Sequence, residues 1–215
     1  MVADQLRRRG IADERVLAVM GDLPRERFLP SRYEGLAYAD GAAPIDEGQT
    51  ISQPYIVALM TELLRVAPGD RILEIGTGSG YQAAVLAGLG AEVTSIERFP
   101  ALAQAARERL AALAIDNVDI RVADGSAGDP AGAPWDGIIV TAAAPAVPEP
   151  LREQLAIGAR LVIPVGGRWD QQLLVIERRG PVDWVETSGG AVVFVPLVGE
   201  QGYEDPGRPS RRGHA

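Results

Sequence analysis

The amino-acid sequence predicts an α/β fold, with a doubly wound, mainly parallel sheet, antiparallel C-terminal strands and an N-terminal helical and loop extension. Between Arg71 and Val165, short apolar runs alternate with helical stretches. Strands separated by helices form right-handed crossovers in a parallel sheet. After Val165 the apolar runs are separated by Gly-rich turns, which indicates antiparallel strands at the end of the sheet.

Length and composition indicate one globular unit. The chain has 215 residues, of which 47% are hydrophobic and 23% charged, so it can bury a substantial core. We expect one domain over residues 1–199, made of an N-terminal extension (1–65), a core (66–166) and C-terminal strands (167–199). Residues 200–215 are polar and contain Gly and Pro, which predicts a disordered tail.

The N-terminal extension contains two predicted helices. Asp13 is a suitable N-cap for a helix through Met20, and Pro24 begins a short turn. Residues 38–52 are rich in Gly and Ala and have the composition of a loop. Pro54 then opens a helix, as proline does at a first helical position. The apolar face of that helix consists of Ile56, Val57, Leu59, Met60, Leu63 and Leu64.

The remaining elements follow from apolar runs and helical spacing. The expected core strands are 71–75, 92–96, 118–122, 137–140 and 160–164, and the later strands are 173–177, 183–187 and 191–196. Residues 101–113 have helical spacing, and Pro148 is the expected first residue of a helix through Leu155. Residues 124–134 are dense in Gly, Pro and Ala, which predicts a loop or a very short helix. Trp135 is expected to pack in the core.

Three residue types are missing or nearly missing, and their absence excludes several chemistries. The sequence has no Cys and no Lys, and its one His is His214. Thiol nucleophiles, thiolate zinc sites, Schiff bases and a Walker-type lysine are therefore excluded. A Ser-His-Asp triad or a His-built metal site is disfavoured, and we expect no metal. The groups that remain available to form a functional site are carboxylates, hydroxyls, Arg side chains, backbone amides and a bound cofactor.

The charge balance argues against a polyanionic partner. Twenty-nine acidic residues against 21 basic ones give a net charge of −8, and the isoelectric point is near 4.8. General nucleic-acid binding is thus disfavoured. Residues 1–20 carry charges throughout and have neither a signal-peptide nor a membrane-anchor pattern. We therefore expect a cytoplasmic protein that does not bind a membrane, and we assign no function to the Arg7–Arg9 run.

A glycine-rich loop follows the first core strand. It contains Gly76, Gly78 and Gly80 in a G-x-G-x-G pattern, and glycines there allow a tight turn and close approach by a ligand. A nicotinamide dinucleotide prefers G-x-G-x-x-G, but position 81 is Tyr. The loop instead resembles motif I of S-adenosylmethionine-dependent methyltransferases, which implies a Rossmann-like sheet, this cofactor and the product S-adenosyl-L-homocysteine.

Acidic residues fall at the ends of neighbouring strands, as such a cofactor site requires. Glu74 precedes the loop, Glu97 ends the second strand where ribose hydroxyls would bind, and Asp124-Gly125 follows the third strand near the adenine position. For Glu97 alone, a solvated strand end is the alternative. The candidate cofactor-binding residues are Thr50, Ile51, Glu74, Gly76, Thr77, Gly78, Ser79, Gly80, Glu97, Arg98, Asp124, Gly125 and Thr141.

Six motifs in order carry a family resemblance. They are GQTIS (48–52), LEIGTGSGYQAAVLA (73–87), SIER (95–98), IIVTAAAP (138–145), RLVIPVG (160–166) and FVPLV (194–198). Together they resemble the protein-L-isoaspartate (D-aspartate) O-methyltransferase family over nearly the whole chain to Val198. Many members of that family carry His where this chain has Tyr55.

The resemblance implies methyl esterification of the free α-carboxylate of L-isoaspartyl residues, and more slowly of D-aspartyl residues, in damaged proteins and peptides. The ester then collapses to a succinimide, whose hydrolysis returns some normal aspartate, so the cycle is protein repair. A carboxylate is already ionised near neutral pH, so no general base is needed. The resemblance also points to a monomer.

The resemblance and the local pattern together select candidate substrate contacts. Ser52 stands just before the Pro54 helix, where it would act as the catalytic residue by donating a hydrogen bond to the substrate carboxylate, or would only cap the helix. Val195, Pro196 and Leu197 are candidate substrate-binding residues whose backbone would pair with an extended peptide, the alternative being an ordinary buried strand. Thr141 is a strand terminus or lines the reacting centre.

Three other functions remain open at this point. A nicotinamide-dependent oxidoreductase is opposed by Tyr81 in the loop and by the lack of an obvious proton donor. A binding protein that lost catalysis is opposed by the intact acidic and glycine positions. A methyltransferase dedicated to an Asp of one modified peptide would share the cofactor site and the chemistry, so the residues do not separate it from general repair.

Overall fold

The computed structural model describes residues 1–204 of the chain. Its main feature is a seven-stranded sheet with strand order β5-β4-β3-β6-β7-β8-β9. The five strands from β5 to β7 are parallel, and β8 and β9 add antiparallel to β7. The strands are β3 (Arg71–Ile75), β4 (Glu92–Glu97), β5 (Val118–Val122), β6 (Trp135–Val140), β7 (Leu155–Gly166), β8 (Gln171–Arg178) and β9 (Trp184–Val192). The predicted fold class is confirmed.

Within residues 1–204, five α-helices accompany the sheet: α1 (Glu14–Asp22), α2 (Pro54–Leu64), α3 (Tyr81–Gly88), α4 (Pro100–Ala112) and α5 (Glu149–Glu153). The Asp13 carboxylate caps α1 by accepting a hydrogen bond from the Arg15 N–H at 2.9 Å. In α2 the predicted apolar face packs inward, with Val57, Met60 and Leu64 buried. No helix within residues 1–204 is both long enough and apolar enough to span a bilayer.

The segment between α1 and α2 has more structure than a loop. Short helical turns cover Arg25–Phe28 and Ser31–Leu36. Two short strands, β1 (Ala43–Pro44) and β2 (Thr50–Ile51), then pair antiparallel. This small hairpin leads directly into α2 and fixes the position of the residues just before it.

The prediction of two strands between residues 183 and 196 is wrong, because β9 is continuous over Trp184–Val192. Leu173 of β8 pairs with Gly190 and Leu174 pairs with Ser188, so Gly189 is an extra residue on β9. The Gly-Gly pair makes a β-bulge rather than a turn.

A second boundary also differs from the prediction. Helix α5 ends at Glu153, and Leu155 begins β7 instead of ending the helix. Leu155 pairs with Trp135 at the start of β6, so sheet pairing overrides the local helical pattern. Trp135 is 2% exposed, as its predicted core role requires, and it packs under the Arg71 guanidinium.

The beginning of the predicted disordered tail is ordered. The Glu200 N–H donates to Asp124 Oδ2 at 2.8 Å, and the Gln201 N–H donates to Ser126 Oγ at 3.0 Å. The Tyr203 hydroxyl donates to the Gly166 carbonyl. We call Gly199–Tyr203 the C-terminal turn. The rest of the predicted tail, residues 205–215, lies outside the described residues.

Candidate active site

The glycine-rich loop lies at the carboxyl end of β3 and connects to α3. Gly76 has φ of +96°, and a Cβ built there would lie 2.4 Å from Thr141 Oγ1. The Thr141 hydroxyl is close because it donates a hydrogen bond to the Gly76 carbonyl oxygen at 2.6 Å. The Ile75 carbonyl oxygen is a second acceptor for this hydroxyl, at 3.1 Å. Gly76 is therefore required both by its backbone conformation and by the close approach of Thr141.

Glu74 lies beneath the glycine-rich loop and is not among the residues that line the cleft, so its contact with the cofactor stays a prediction. The side chain is fully buried, and its Oε2 accepts a hydrogen bond from the Ser95 hydroxyl, which in turn contacts the Thr77 hydroxyl. Its Oε1 has no hydrogen-bond partner within residues 1–204. Burial raises the pKa of Glu74 to about 8, partly offset by the Ser95 hydrogen bond.

Glu97 closes the opposite side of the loop at the carboxyl end of β4. Its Oε2 accepts from the Gly78 N–H at 2.8 Å and its Oε1 accepts from the Phe99 N–H at 3.0 Å. The side chain is 5% exposed and lines the cleft, so a strand end in bulk solvent is ruled out. This carboxylate also keeps the loop backbone in place.

A cleft of about 780 Å³ lies above the loop, and we call it the loop cleft. Most sequence-predicted site residues line it: Thr50, Ile51, Ser52, Gly76, Thr77, Gly78, Ser79, Glu97, Arg98, Thr141, Val195, Pro196 and Leu197. Sequence reasoning missed further lining residues, among them Val57, Gln82, Phe99, Ala142 and Val198. Gln82, Ala142 and Val198 lie inside the family motifs and Phe99 directly follows one, so motif membership was the signal for these residues.

Three other predicted cofactor residues do not line this cleft. Gly80, with φ of +87°, is the N-cap residue of α3, and a Cβ there would lie 3.2 Å from that of Ala106. Gly125 packs against Ile75. The Asp124 carboxylate accepts from the Ser126 N–H at 2.9 Å and from the Glu200 N–H. Although partial burial opposes it, these hydrogen bonds lower the pKa of Asp124. Its contact with adenine stays a prediction.

A second, larger cleft of about 1390 Å³ adjoins the first, and we call it the outer cleft. Four residues line both clefts: Thr50, Ser52, Thr141 and Val195. Aromatic side chains of Tyr55, Trp169 and Phe194 also line the outer cleft. The two clefts thus meet at a hydroxyl-rich wall.

Ser52 does not cap α2, which removes the alternative reading of this residue. Gln53 is the N-cap position, and no side chain in the described part of the chain caps this helix. The Ser52 hydroxyl makes no hydrogen bond within residues 1–204, whereas its carbonyl accepts from Arg25 Nη2 at 2.7 Å. The hydroxyl therefore stands at the junction of the two clefts without a described partner.

The backbone of residues 195–197 is already engaged on one side. The Ala143 N–H donates to the Val195 carbonyl at 2.8 Å, and the Leu197 N–H donates to the Ala143 carbonyl at 2.7 Å. The Leu197 carbonyl accepts from the Tyr203 N–H at 2.7 Å. These three backbone groups are therefore not available to an extended peptide, and the pairing of this stretch with a substrate stays a prediction. Its side chains still line the loop cleft.

Comparison with known proteins places this arrangement in a family. The family model described as "Protein-L-isoaspartate(D-aspartate) O-methyltransferase (PCMT)" matches residues 1–202. The chain belongs to the protein-L-isoaspartate(D-aspartate) O-methyltransferase family.

Curated members of this family are similar along almost their whole length. The protein-L-isoaspartate O-methyltransferase of Methanoregula boonei is 56% identical over 205 residues, which cover 95% of this chain and 94% of that protein. The corresponding protein of Magnetococcus marinus is 54% identical over 199 residues, covering 93% and 87%. The resemblance to protein-L-isoaspartate O-methyltransferases is therefore confirmed.

Solved structures of the family have the same fold. A Plasmodium falciparum structure named as a protein-L-isoaspartate O-methyltransferase in complex with S-adenosyl-L-homocysteine superposes with a TM-score of 0.80 at 28% identity. The match covers 92% of this chain and 96% of that one. Another protein-L-isoaspartate O-methyltransferase structure gives a TM-score of 0.79 at 29% identity, covering 91% and 64%.

Arg9, to which we had assigned no function, belongs to the rim of the outer cleft. Its guanidinium carbon lies 3.6 Å from the centroid of the Tyr55 ring. Arg9 also pairs with Asp40 at 3.2 Å, and Asp40 accepts from the Gln53 amide at 2.6 Å. Arg7 and Arg8 pair with Glu14 and Asp4 at the surface.

Proposed function

We propose that this protein transfers the methyl group of S-adenosylmethionine to the free α-carboxylate of L-isoaspartyl residues, and more slowly to that of D-aspartyl residues. The observation that carries the proposal is the junction of the loop cleft with the outer cleft at Thr50, Ser52, Thr141 and Val195. One cleft is lined by the glycine-rich loop and by Glu97, the other is open enough for a peptide, and they share a wall.

The loop cleft fits S-adenosylmethionine in its shape and its polar groups. The backbone from Gly76 to Ser79 admits close approach, and a carboxylate at Glu97 stands where ribose hydroxyls would be held. Arg98 lines the same cleft. When bound, the cofactor supplies an electrophilic methyl group on a sulfonium. Asp124 and Gly125 would hold its adenine, and this contact requires the C-terminal turn to move away from the Asp124 carboxylate.

The substrate carboxylate fits the junction. The Ser52 hydroxyl can donate to one carboxylate oxygen, and the start of α2 favours an anion. Because the carboxylate is ionised near neutral pH, a chain without Lys, Cys or a described His can support its attack without a general base. The residues at the junction act by orienting the oxygen and excluding water, which favours attack in line with the bond that breaks.

The decisive experiment is methyl transfer to matched peptides. The protein is incubated with isotopically labelled S-adenosylmethionine and with paired peptides that carry isoaspartate or normal aspartate at one position. We expect label only in the isoaspartyl peptide, as a base-labile ester. Equal labelling of both peptides, or labelling of neither, would overturn the substrate assignment.

A panel of unrelated isoaspartyl peptides separates general repair from a dedicated substrate. We expect methylation of peptides with different residues around the isoaspartate, because the outer cleft is wide and its lining is mixed. Methylation of one peptide alone would instead indicate a dedicated aspartyl methyltransferase.

We further propose that residues 1–199 act as one methyltransferase domain in a cytoplasmic monomer that binds no nucleic acid and no membrane. The net charge of −8 supports the absence of nucleic-acid binding. Sedimentation at several protein concentrations should give one species near 22.8 kDa. A dimer at micromolar concentration would contradict it.

A further inference from the structure

Arg25 is a buried arginine whose charge has no carboxylate partner within residues 1–204. Its side chain is 1% exposed. The Nε donates to the Ala37 carbonyl at 2.7 Å and Nη2 donates to the Ser52 carbonyl at 2.7 Å. The guanidinium carbon lies 4.5 Å from the centroid of the Tyr81 ring, and Nη1 has no hydrogen-bond partner in this part of the chain.

Burying an arginine side chain without a carboxylate partner lowers the stability of the fold, so its presence here calls for a functional explanation. Removing a guanidinium from water is costly when no anion accompanies it, and burial lowers the pKa of Arg25. A neutral donor could connect the Ala37 and Ser52 backbones equally well. Both Ser52 and Tyr81 line the loop cleft, so the unpaired charge lies directly behind the site.

The contact with Ser52 determines which way one peptide unit faces. In a trans peptide the C=O and the N–H point in opposite directions. Because the Ser52 carbonyl points inward to Arg25, the N–H of Gln53 points away from it. No acceptor for this N–H exists within residues 1–204. Ser52 and Gln53 both line the outer cleft, and the next residue, Pro54, has no N–H.

We propose that Arg25 is a positioning residue for the substrate carboxylate, because it orients and polarises the Ser52–Gln53 peptide so that the Gln53 N–H binds that carboxylate beside the Ser52 hydroxyl. The inference rests on the proposed function. A hydrogen bond to a carbonyl strengthens the donor at the other end of the same peptide. The arginine charge also compensates for the anion as water leaves.

This role predicts an effect on substrate binding rather than on methyl transfer. The carboxylate loses its charge as the new bond forms, so groups that stabilise the anion act mainly in the bound ground state. Replacing Arg25 should therefore raise KM for the isoaspartyl peptide much more than it lowers kcat.

The test compares two peptides that differ only at the reacting group. One carries the isoaspartyl α-carboxylate and the other an α-carboxamide, and calorimetry measures their binding to the protein saturated with S-adenosyl-L-homocysteine. Charged hydrogen bonds predict that R25M weakens binding of the carboxylate peptide about tenfold or more. Binding of the carboxamide peptide should stay within about threefold, and R25K should restore part of the difference.

Arg160 provides a matched control at the other end of α2. Its Nη1 donates to the Leu63 carbonyl at 3.0 Å and its Nη2 to Glu177 at 2.8 Å. R160M also removes an arginine that holds a backbone carbonyl of this helix. It should lower the thermal midpoint while leaving the ratio of the two peptide affinities unchanged.

The outcomes are separable. If R25M does not fold, R25Q decides. Its amide nitrogen takes the place of Nε and can still donate to the Ala37 carbonyl, while the charge and the donor to the Ser52 carbonyl are gone. The ratio of the two peptide affinities should therefore fall in R25Q too. A folded neutral variant that keeps the ratio within about twofold overturns the inference, as does equal weakening of both peptides. If the wild type itself fails to methylate isoaspartyl peptides, the proposed function fails instead.

Discussion

At the scale of single residues, Ser52 is the side chain on which the substrate assignment depends. Its hydroxyl stands at the cleft junction and has no partner within residues 1–204, and it is not needed to cap α2. We expect S52A to lower kcat/KM for an isoaspartyl peptide about tenfold or more, because a hydrogen bond to a charged group is lost. The dissociation constant of S-adenosyl-L-homocysteine, measured by calorimetry, should change by less than about threefold.

The exposed Ser31 offers a matched control for that substitution, since it lies on a short helical turn and lines neither cleft. S31A should leave kcat/KM unchanged. Wild-type turnover by S52A would remove Ser52 from the mechanism.

Glu74 makes the stability of the protein depend on pH. Its pKa is raised from 4.5 to about 8 in the folded protein, so between these values the native state holds a proton that the unfolded chain has released. The free energy of unfolding therefore receives its full contribution below pH 4.5 and loses it as the pH rises towards 8.

The variant E74Q is neutral at every pH and should flatten this dependence. The free energy of unfolding of E74Q, relative to that of the wild type, should be higher at pH 8.5 than at pH 5 by on the order of a few kcal/mol. The reason is that each unit of pKa shift corresponds to about 1.4 kcal/mol. Urea unfolding at both pH values measures the difference. E108Q, which changes an exposed glutamate, should show no such gain. Parallel pH profiles for E74Q and wild type would contradict the assignment.

At the scale of elements, the C-terminal turn is held by one carboxylate. Asp124 accepts from the Glu200 N–H, and a Cβ on Gly199 would lie 2.0 Å from its Oδ1, so the turn packs directly on it. D124A should raise hydrogen exchange of the Glu200 amide about tenfold, the value of one lost hydrogen bond. D116A, at an exposed aspartate, is the control. Unchanged exchange in D124A would show that other contacts hold the turn.

The elements also show where sequence reasoning succeeds. Strand β3 follows from the apolar run Arg71–Ile75, and α1 from the Asp13 cap, because these signals are local. The continuous β9 could not be predicted, since Gly189-Gly190 is equally compatible with a turn and with a bulge. Only its pairing with Leu173 and Leu174 decides between them.

The same distinction holds in the site. The loop glycines and Glu97 were identifiable from their spacing. Arg25 was not identifiable, because the local sequence of its short helical turn does not indicate that the side chain becomes buried behind Ser52. Glu74 was identified, but its role could not be inferred. The sequence pattern does not distinguish a residue that lines the cleft from one that is buried beneath the loop.

At the scale of the whole molecule, ligand binding should be visible as stability. S-adenosyl-L-homocysteine at 100 times its dissociation constant adds about 2.7 kcal/mol to the free energy of unfolding. For a chain of this length we expect the thermal midpoint to rise by roughly 5–10 °C in a calorimetric scan. NAD(H) at the same concentration should produce no shift. The reverse pattern would favour a nicotinamide-dependent oxidoreductase.

Thr141 connects the glycine-rich loop with the wall that the two clefts share. Its hydroxyl is bonded to the backbone of the glycine-rich loop, while the residue forms part of both walls. Any shift of the loop therefore changes the surface that a peptide meets. The protein with and without its methyl donor would present different docking surfaces, which favours an obligatory order of arrival with the donor first. Product-inhibition patterns would reveal that sequence.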